Sequence, residues 1–434
     1  MTTLLERAKG SALEIITDHE VPLGTTTLLL PHVPKIRRLD FQSNYFEDIL
    51  WFSEVNSGPL PLLRTLWICL NWSNIPATPS LPLFNGAVNL EEFVLGLEQA
   101  KLLKHFVFPN LTTFKLLALQ MDGLDASHLF DFLKGSPTLQ TIEVKVAGGI
   151  MLGNIHQDMV IVLPNVETFS LFIEDNEHEV YEPAARLSCP RAKYTSLMQK
   201  KCDDAITTGL EIFPDSIPWK EITSQYASSP VEEITLEMTH IAYSLTFQTS
   251  DATVIRLGFE LTDTGRGEEE EEEDFDLTWE EMHLEIFSQA CKTIQAHPLL
   301  SHVKRLHIKD RTGAWGLNNL ISAAKMVGDL FKSLGPLDKF TINSFDLQIF
   351  LAPFVDAPQF WRFERVFPPV KELTVSVTSL DEERRCLDAV VELAKSRHKL
   401  GIPFERVTVR AREVSADMMR RLREWVSAAE CCEM

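Results

Sequence analysis

The chain has no cysteine framework. Its seven cysteines among 434 residues are scattered, odd in number and never spaced C-x-x-C, which excludes both a disulfide scaffold and a zinc cage. A reducing, intracellular location, cytoplasmic or nuclear, is expected. Long hydrophobic runs are also missing. The longest, such as Thr27–Val33, stop well short of a membrane span, so no membrane partner is expected. Residues 1–7 hold no charged leader followed by an apolar segment, and secretion is not indicated. Positive charge is scarce: 41 Lys and Arg stand against 62 Asp and Glu, a formal net charge of −21. Without the acidic run Glu268–Asp274 the charge is still −14, so the acidity is general. Nucleic acid, which needs a basic footprint, is not an expected partner.

Catalytic signatures are lacking too. No G-x-S-x-G, H-E-x-x-H or H-x-E…C-x-x-C occurs. Gly148-Gly149-x-x-x-Gly153 lacks the Lys-Ser/Thr of a P-loop and reads as a turn. His302 and His307, five apart on a strand, would face opposite ways and make a poor metal pair. Glu91 with Glu92, and Glu232 with Glu233, are adjacent strand residues on opposite faces and form no carboxylate dyad. No enzyme, cofactor or metal site is expected.

What the chain does have is a recurring phrase: Pro, a variable residue, an apolar residue, two variable residues, an apolar residue, one variable residue, an apolar residue. It reads Pro34-Lys-Ile-Arg-Arg-Leu-Asp-Phe41, Pro61-Leu-Leu-Arg-Thr-Leu-Trp-Ile68, Pro109-Asn-Leu-Thr-Thr-Phe-Lys-Leu116, Pro137-Thr-Leu-Gln-Thr-Ile-Glu-Val144 and Pro164-Asn-Val-Glu-Thr-Phe-Ser-Leu171. Leu90-Glu-Glu-Phe-Val-Leu95 keeps the pattern without the Pro, and Pro190–Leu197 is a weak copy. First apolar positions from Ile36 to Val166 are 27, 27, 21, 28 and 27 residues apart. The pattern returns at Val303–Ile308, Leu337–Ile342, Val370–Val375 and Phe404–Val409, spaced 34, 33 and 34. Between the two series, Val231–Leu236 and Val254–Phe259 are candidate strands.

Fixed-period self-similarity marks a solenoid. The last two apolar positions of each phrase share one face of a strand, and the residue between them points the other way. Pro lacks an N–H and suits a strand mouth. Helices are expected at Tyr45–Phe52 and Asp125–Lys134, and from Thr278, with Leu284, Phe287, Cys291 and Ile294 on its apolar face. Others are expected at Leu317–Leu334, Asp381–Arg397 and Ser415–Ala429. Strand–connection–helix units in series give parallel strands. The expected fold is α/β, a solenoid with parallel strands on a concave face and helices or irregular segments on the convex face.

The arrangement resembles the leucine-rich repeat family, whose motif is L-x-x-L-x-L-x-x-N. Ile36-x-x-Leu39-x-Phe41-x-x-Asn44 and Leu63-x-x-Leu66-x-Ile68-x-x-Asn71 match all four positions, while Glu98, Leu119, Ala147 and Glu174 stand at the Asn place later. The resemblance implies an irregular horseshoe. A narrower likeness lies in Leu5–Ile16, Pro31–Leu39, Leu60–Leu66 and Asn89–Phe93, which resemble the large fungal F-box protein family. There an F-box helix bundle precedes a repeat array that acts as the substrate receptor of a cullin-type ubiquitin ligase. No L-P-x-E-I-L helix followed by a W-R helix occurs in this sequence, so ligase subunits are implied as partners only with an F-box upstream. The expected organisation is a joining segment at 1–20 and a repeat array at 21–430. The array comprises early repeats (21–197), an irregular middle (198–262), an acidic disordered insertion (263–277) and strand–helix repeats (278–430). The expected function is protein recognition by a receptor-like repeat region lacking its F-box, or alternatively a stand-alone repeat scaffold unrelated to ubiquitin.

With this register the concave residues can be named. Those expected to meet a protein partner are Arg38, Asp40, Trp67, Lys115, Glu143, Phe172, Arg305, His307, Lys309, Arg406 and Arg410. Trp67 and Phe172 are aromatics on an otherwise polar face, either binding anchors or core covered by a neighbouring loop. Arg305, His307 and Lys309, with Arg311, form a basic stripe: ordinary surface cations, an acidic-partner site, or a dock for Glu268–Asp274. The register makes a direct prediction. Leu39→Asp or Leu373→Asp buries a charge in the strand–helix core and unfolds the local stack. Cooperative unfolding of either soluble variant at the parent's midpoint rules the register out.

Overall fold

A computed structural model describes residues 11–16, 30–43, 60–70, 83–84, 86–97, 100–118, 124–153, 159–174, 180–202, 222, 229–239, 242–262, 279–297, 300–312, 320–344, 350–351, 370–377, 383–412 and 414–433. Asn44, Asn71, the Tyr45–Phe52 helix and the acidic run lie outside them. The fold is mixed α/β. The chain divides into two compact units, Met1–Lys200 with Glu221–Ser228 and Lys201–Lys220 with Ser229–Met434.

In the first unit the elements are β1 (Leu13–Ile16), β2 (Ile36–Ser43), β3 (Thr65–Leu70), β4 (Glu92–Leu97), β5 (Thr113–Ala118), β6 (Leu124–Asp125), α1 (Ala126–Lys134), β7 (Thr141–Val146), β8 (Ile150–Met151), β9 (Ile161–Val162), β10 (Thr168–Glu174), α2 (Tyr181–Ala184), β11 (Leu187–Ser188) and β12 (Tyr194–Cys202). Its sheet runs β1-β2-β3-β4-β5-β7-β10-β12, in chain order. All the pairs described in it are parallel. The short strands pair separately, β6 with β8 and β9 with β11.

The recurring phrase sets the register. Leu39, Leu66, Phe93, Phe114, Ile142 and Phe169 stand opposite one another in successive strands, as do Phe41, Ile68, Leu95, Leu116, Val144 and Leu171. A third buried row comes from Ile36, Leu63, Leu90, Leu111, Leu139 and Val166 just before each strand or at its start. Each such side chain contributes about 1.5–3 kcal/mol by leaving water. Aromatic packing thickens this spine: Phe93 lies 5.0 Å from both Phe106 and Phe108, and Phe114 lies 4.4 Å from Phe132 of α1. Asp125 caps α1 by accepting from the Ser127 amide at 2.8 Å, as its capping position predicts.

A second ladder runs along the strand mouths. In four phrases the residue just before the first apolar position donates to a carbonyl one repeat back: Asn89 Nδ2 to Pro61 O (3.0 Å), Asn110 Nδ2 to Val88 O (2.8 Å), Thr138 Oγ1 to Pro109 O (3.0 Å) and Asn165 Nδ2 to Pro137 O (3.0 Å). Asn89 holds the same place in the phrase that lacks the proline. These bonds satisfy backbone acceptors that lie outside the strand ladder.

The second unit holds β13 (Val231–Met238), β14 (Ala242–Thr249), β15 (Val254–Thr262), α3 (Trp279–Ala296), β16 (Arg305–Asp310), α4 (Leu320–Ser333), β17 (Leu337–Ser344), β18 (Val370–Val377), α5 (Glu383–Lys399), β19 (Arg406–Ala411), α6 (Ala416–Arg423) and β20 (Ala428–Glu433). Its strands run β15-β14-β13-β16-β17-β18-β19-β20. From β13 through β16 to β20 every pair is parallel. Helix α3 lies beside α4, and α5 beside α6. Phe287, Cys291 and Ile294 of α3 are buried and Leu284 half-buried, as are Leu387, Val390, Val391 and Ala394 of α5 fully.

Two expectations are corrected here. The strands at 231–236 and 254–259 exist, but they are joined through the unforeseen β14 as an antiparallel meander. The links, residues 239–241 and 250–253, are far too short for a parallel crossover, which needs a dozen residues or more. The expected helix at Ser415–Ala429 stops at Arg423, and Ala428 and Ala429 enter β20 against β19. Backbone pairing with an open sheet edge outweighs the local helix preference of alanine. His302 also sits in a 3-10 turn at Leu300–His302 rather than on a strand.

Polar contacts fix the ends of the second unit's strands. Asp310 is almost fully buried at the end of β16 and accepts from the Thr312 amide (3.0 Å), Thr312 Oγ1 (2.7 Å) and Ser344 Oγ of β17 (2.8 Å). Tyr243 OH hydrogen-bonds His283 Nδ1, tying β14 to α3. Backbone approach is closest at Gly258, where an added Cβ would lie 2.2 Å from Tyr243 O. In the β14–β15 turn Ala252 is held at φ 67°, a left-handed conformation that suits glycine. Chemical denaturation is expected to show Gly258→Ala losing about 2 kcal/mol or more and Ala252→Gly gaining about 1 kcal/mol. The opposite signs would contradict this turn and this strand contact.

Candidate interaction surface

The side chains between the buried positions of each phrase line up on the opposite, open face of the sheet. In the first unit the middle row is Asp40, Trp67, Val94, Lys115, Glu143 and Ser170, and the row beyond it is Gln42, Cys69, Gly96, Leu117, Lys145 and Phe172. Arg38 and Asp40 pair within β2, with Nε to Oδ1 at 3.0 Å and Nη2 to Oδ2 at 2.7 Å. Asp40 is thereby buried against its own strand, and the Arg38 guanidinium is held above its usual range by that carboxylate. Lys115 meets Glu143 at 3.4 Å and Lys145 meets Glu174 at 3.9 Å. Glu174 also bonds Lys200.

Trp67 is 41% exposed. Phe172 is half-buried, with the Lys145 ammonium 5.0 Å above its ring. Tyr194, in the first position of β12, is exposed on the same face. The Cys69 side chain leans toward Gly96, where a Cβ would sit 3.1 Å from its sulfur, and burial raises its thiol. This face is thus a mixture of neutralised ion pairs and aromatic or aliphatic groups.

The second unit's open face is different. Arg305 pairs with Glu233 at 3.0 Å, Lys309 with Glu237 at 3.7 Å, and Arg406 with both Glu372 (3.7 Å) and Glu430 (3.5 Å). Lys339 and Arg410 make no ion pair among the described residues. Between them lie the hydroxyls of Thr341, Thr374, Ser376 and Thr408 and the amide of Asn343. His307 Nε2 lies 3.5 Å from Glu233 Oε1 without a hydrogen bond to it. Burial is the main force lowering its pKa, helped by Lys339, Arg305 and Lys309 and opposed by Glu233. The predicted basic stripe is therefore charged at its ends and neutral at its centre near pH 7.

At the strand mouths of this unit a groove of about 580 Å³ is lined by Glu232, Lys304, Arg305, Asp338, Lys339, Lys371, Glu372 and Glu405. Lys304 bonds Glu232 at 2.9 Å and Lys371 bonds Asp338 at 2.7 Å across its floor. Pairs of this kind at the surface add little stability each. Among the described residues no group of three or more His, Cys, Asp or Glu is placed to hold a metal ion, and no helix is long and apolar enough to cross a membrane. No protein-family model matches the chain, and no curated protein does.

All the residues named from sequence fall on the outward strand rows of their own unit. Arg38 through Phe172 belong to the first unit and Arg305 through Arg410 to the second. Sequence reasoning passed over the open-face residues of β18, Glu372, Thr374 and Ser376, although the Val370 phrase marks them as clearly as its neighbours. It also treated as variable the position before the first apolar residue, where Asn89, Asn110, Thr138 and Asn165 recur and form the strand-mouth ladder.

The strongest pKa shifts come from burial. Cys189 is pushed up to about 12 and Cys291 is raised further, so neither thiol ionises near neutrality. His297, at the end of α3 and stacked on Phe247 at 5.2 Å, is lowered to about 4. The folded state therefore keeps His297 neutral at a pH where the unfolded chain, near 6.5, takes up a proton. Its contribution is fully present above pH 6.5 and is lost as the pH falls toward 4, by an amount on the order of 3 kcal/mol. Thermal unfolding between pH 7 and 4 should show this slope and show it reduced in His297→Phe. An unchanged slope in the variant would contradict a neutral buried imidazole.

Proposed function

We propose that the chain is a non-enzymatic protein-recognition module. Its repeats form a leucine-rich-repeat-like horseshoe whose open strand faces are concave and receive partner proteins. In the F-box comparison it corresponds to the substrate-receptor region of a ubiquitin-ligase adaptor, with ligase subunits engaged only through an F-box upstream. The observation that carries this reading is the shared register, which aligns the outward side chains of successive repeats into continuous rows. Such rows give a broad surface with few deep features, suited to another macromolecule, and Trp67 has the exposure of a binding anchor. The thiols of Cys189, Cys291 and Cys432, which are in no disulfide, fit an intracellular setting. The second reading is a repeat scaffold with no link to ubiquitin, favoured by the lack of F-box helices in the sequence.

Affinity capture with the full chain, wild type against Trp67→Ala, tests the proposal. The variant is expected to keep its unfolding midpoint within about 0.5 kcal/mol of wild type, as surface substitutions do, and to lose a specific partner. Ligase subunits in the wild-type capture favour the adaptor, and their consistent absence favours the scaffold. A partner set untouched by Trp67→Ala and by open-face charge substitutions overturns the recognition surface.

A further inference from the structure

The sheet of the second unit contains an electrostatic conflict. Arg305 of β16 and Lys339 of β17 stand directly opposite one another on the open face. Like charges in that position destabilise a strand pair. Arg305 is neutralised by Glu233 on its other side, and Glu372, directly opposite Lys339 in β18, pairs with Arg406 on the next strand. Lys339 therefore stands between Arg305 and Glu372, with no ion pair among the described residues, in the lining of the 580 Å³ groove. One row further in, His307 Nε2 and Thr341 Oγ1, also paired in register, are buried polar atoms with no hydrogen-bond partner. Such atoms are few in native proteins and are satisfied where a water, an ion or a ligand group reaches them. On the open face from β13 to β20 five Lys or Arg stand among Glu233, Glu237, Glu372 and Glu430, and Lys339 and Arg410 are the two of the five without an ion pair among the described residues.

We propose that this face binds an extended acidic segment, rich in Asp or Glu, of a partner protein. One carboxylate sits between Arg305 and Lys339, a second reaches Arg410, and the Thr, Ser and Asn side chains between them hold the backbone. The proposal rests on the recognition reading above and supplies the chemistry of the partner. A carboxylate between the two cations removes their repulsion and gains charge-assisted hydrogen bonds. From Lys339 to Arg410 is two strands across and one strand-length along, roughly 16 Å, which an extended run of about five residues spans.

The test is fluorescence anisotropy of a labelled hexaglutamate peptide titrated with the full chain, with hexaglutamine and a single-stranded oligonucleotide as controls. Hexaglutamate should bind best, weakening as ionic strength rises. Lys339→Gln and Arg410→Gln should each weaken it by about tenfold, as loss of a charge-assisted contact does, and Trp67→Ala should leave it unchanged. No binding of hexaglutamate, equal binding of hexaglutamine, tighter binding of the oligonucleotide, or indifference to both glutamine variants overturns the proposal. A natural partner lost with Trp67→Ala but kept with both glutamine variants overturns it while leaving the recognition reading intact.

Discussion

Parallel pairing of one short phrase with the next copy of itself is the constraint from which the architecture follows. It places Leu39 beside Leu66, Leu66 beside Phe93 and Phe93 beside Phe114, so each rung is completed only by its neighbours. No single repeat could bury its own apolar face, and stability in such arrays is a sum of nearest-neighbour contacts. The same pairing leaves the intervening side chains aligned on the other face. Core and surface are thus two readings of a period-two alternation, and a change in register would exchange them.

The two units use that alternation with different chemistry. In the first, the outward rows hold Trp67, Val94, Leu117 and Phe172 among ion pairs that are already closed. In the second, outward hydroxyls surround two cations, Lys339 and Arg410, that form no ion pair among the described residues. The buried sides differ as well. The first unit is filled by phenylalanines, and the second admits polar anchors such as Asp310 with Ser344 and Tyr243 with His283. In the proposed recognition role, a surface of aromatic and aliphatic groups and a surface of cations and hydroxyls would select different chemistry.

Much of this was legible in the sequence because the phrase carries its own register. Spacing alone placed Arg38, Trp67, Lys115, Arg305, Lys309 and Arg410 on the outward rows, and all six lie there. The meander was not legible. Its strands share no phrase with the repeats, and only the lengths of the links show that β14 must turn back. Nor was β20, whose Ala428-Ala429 start reads as helix until the unpaired edge of β19 is present to pair with it. The site was partly hidden for another reason. Charge on a strand can be read from sequence, but whether Arg305 faces Glu233 or Lys339 faces a carboxylate requires knowing which strands are neighbours. Glu233 lies 72 residues before Arg305, across an acidic run that carries no pattern.

Distances between spin labels on the outward face of the first unit test the parallel register most directly. With one label at Thr65 and the second moved from Thr113 to Thr141 to Thr168, the separation should grow by one strand spacing, about 4.8 Å, at each step. Separations that fail to increase in that order would show that the phrases are not adjacent rungs.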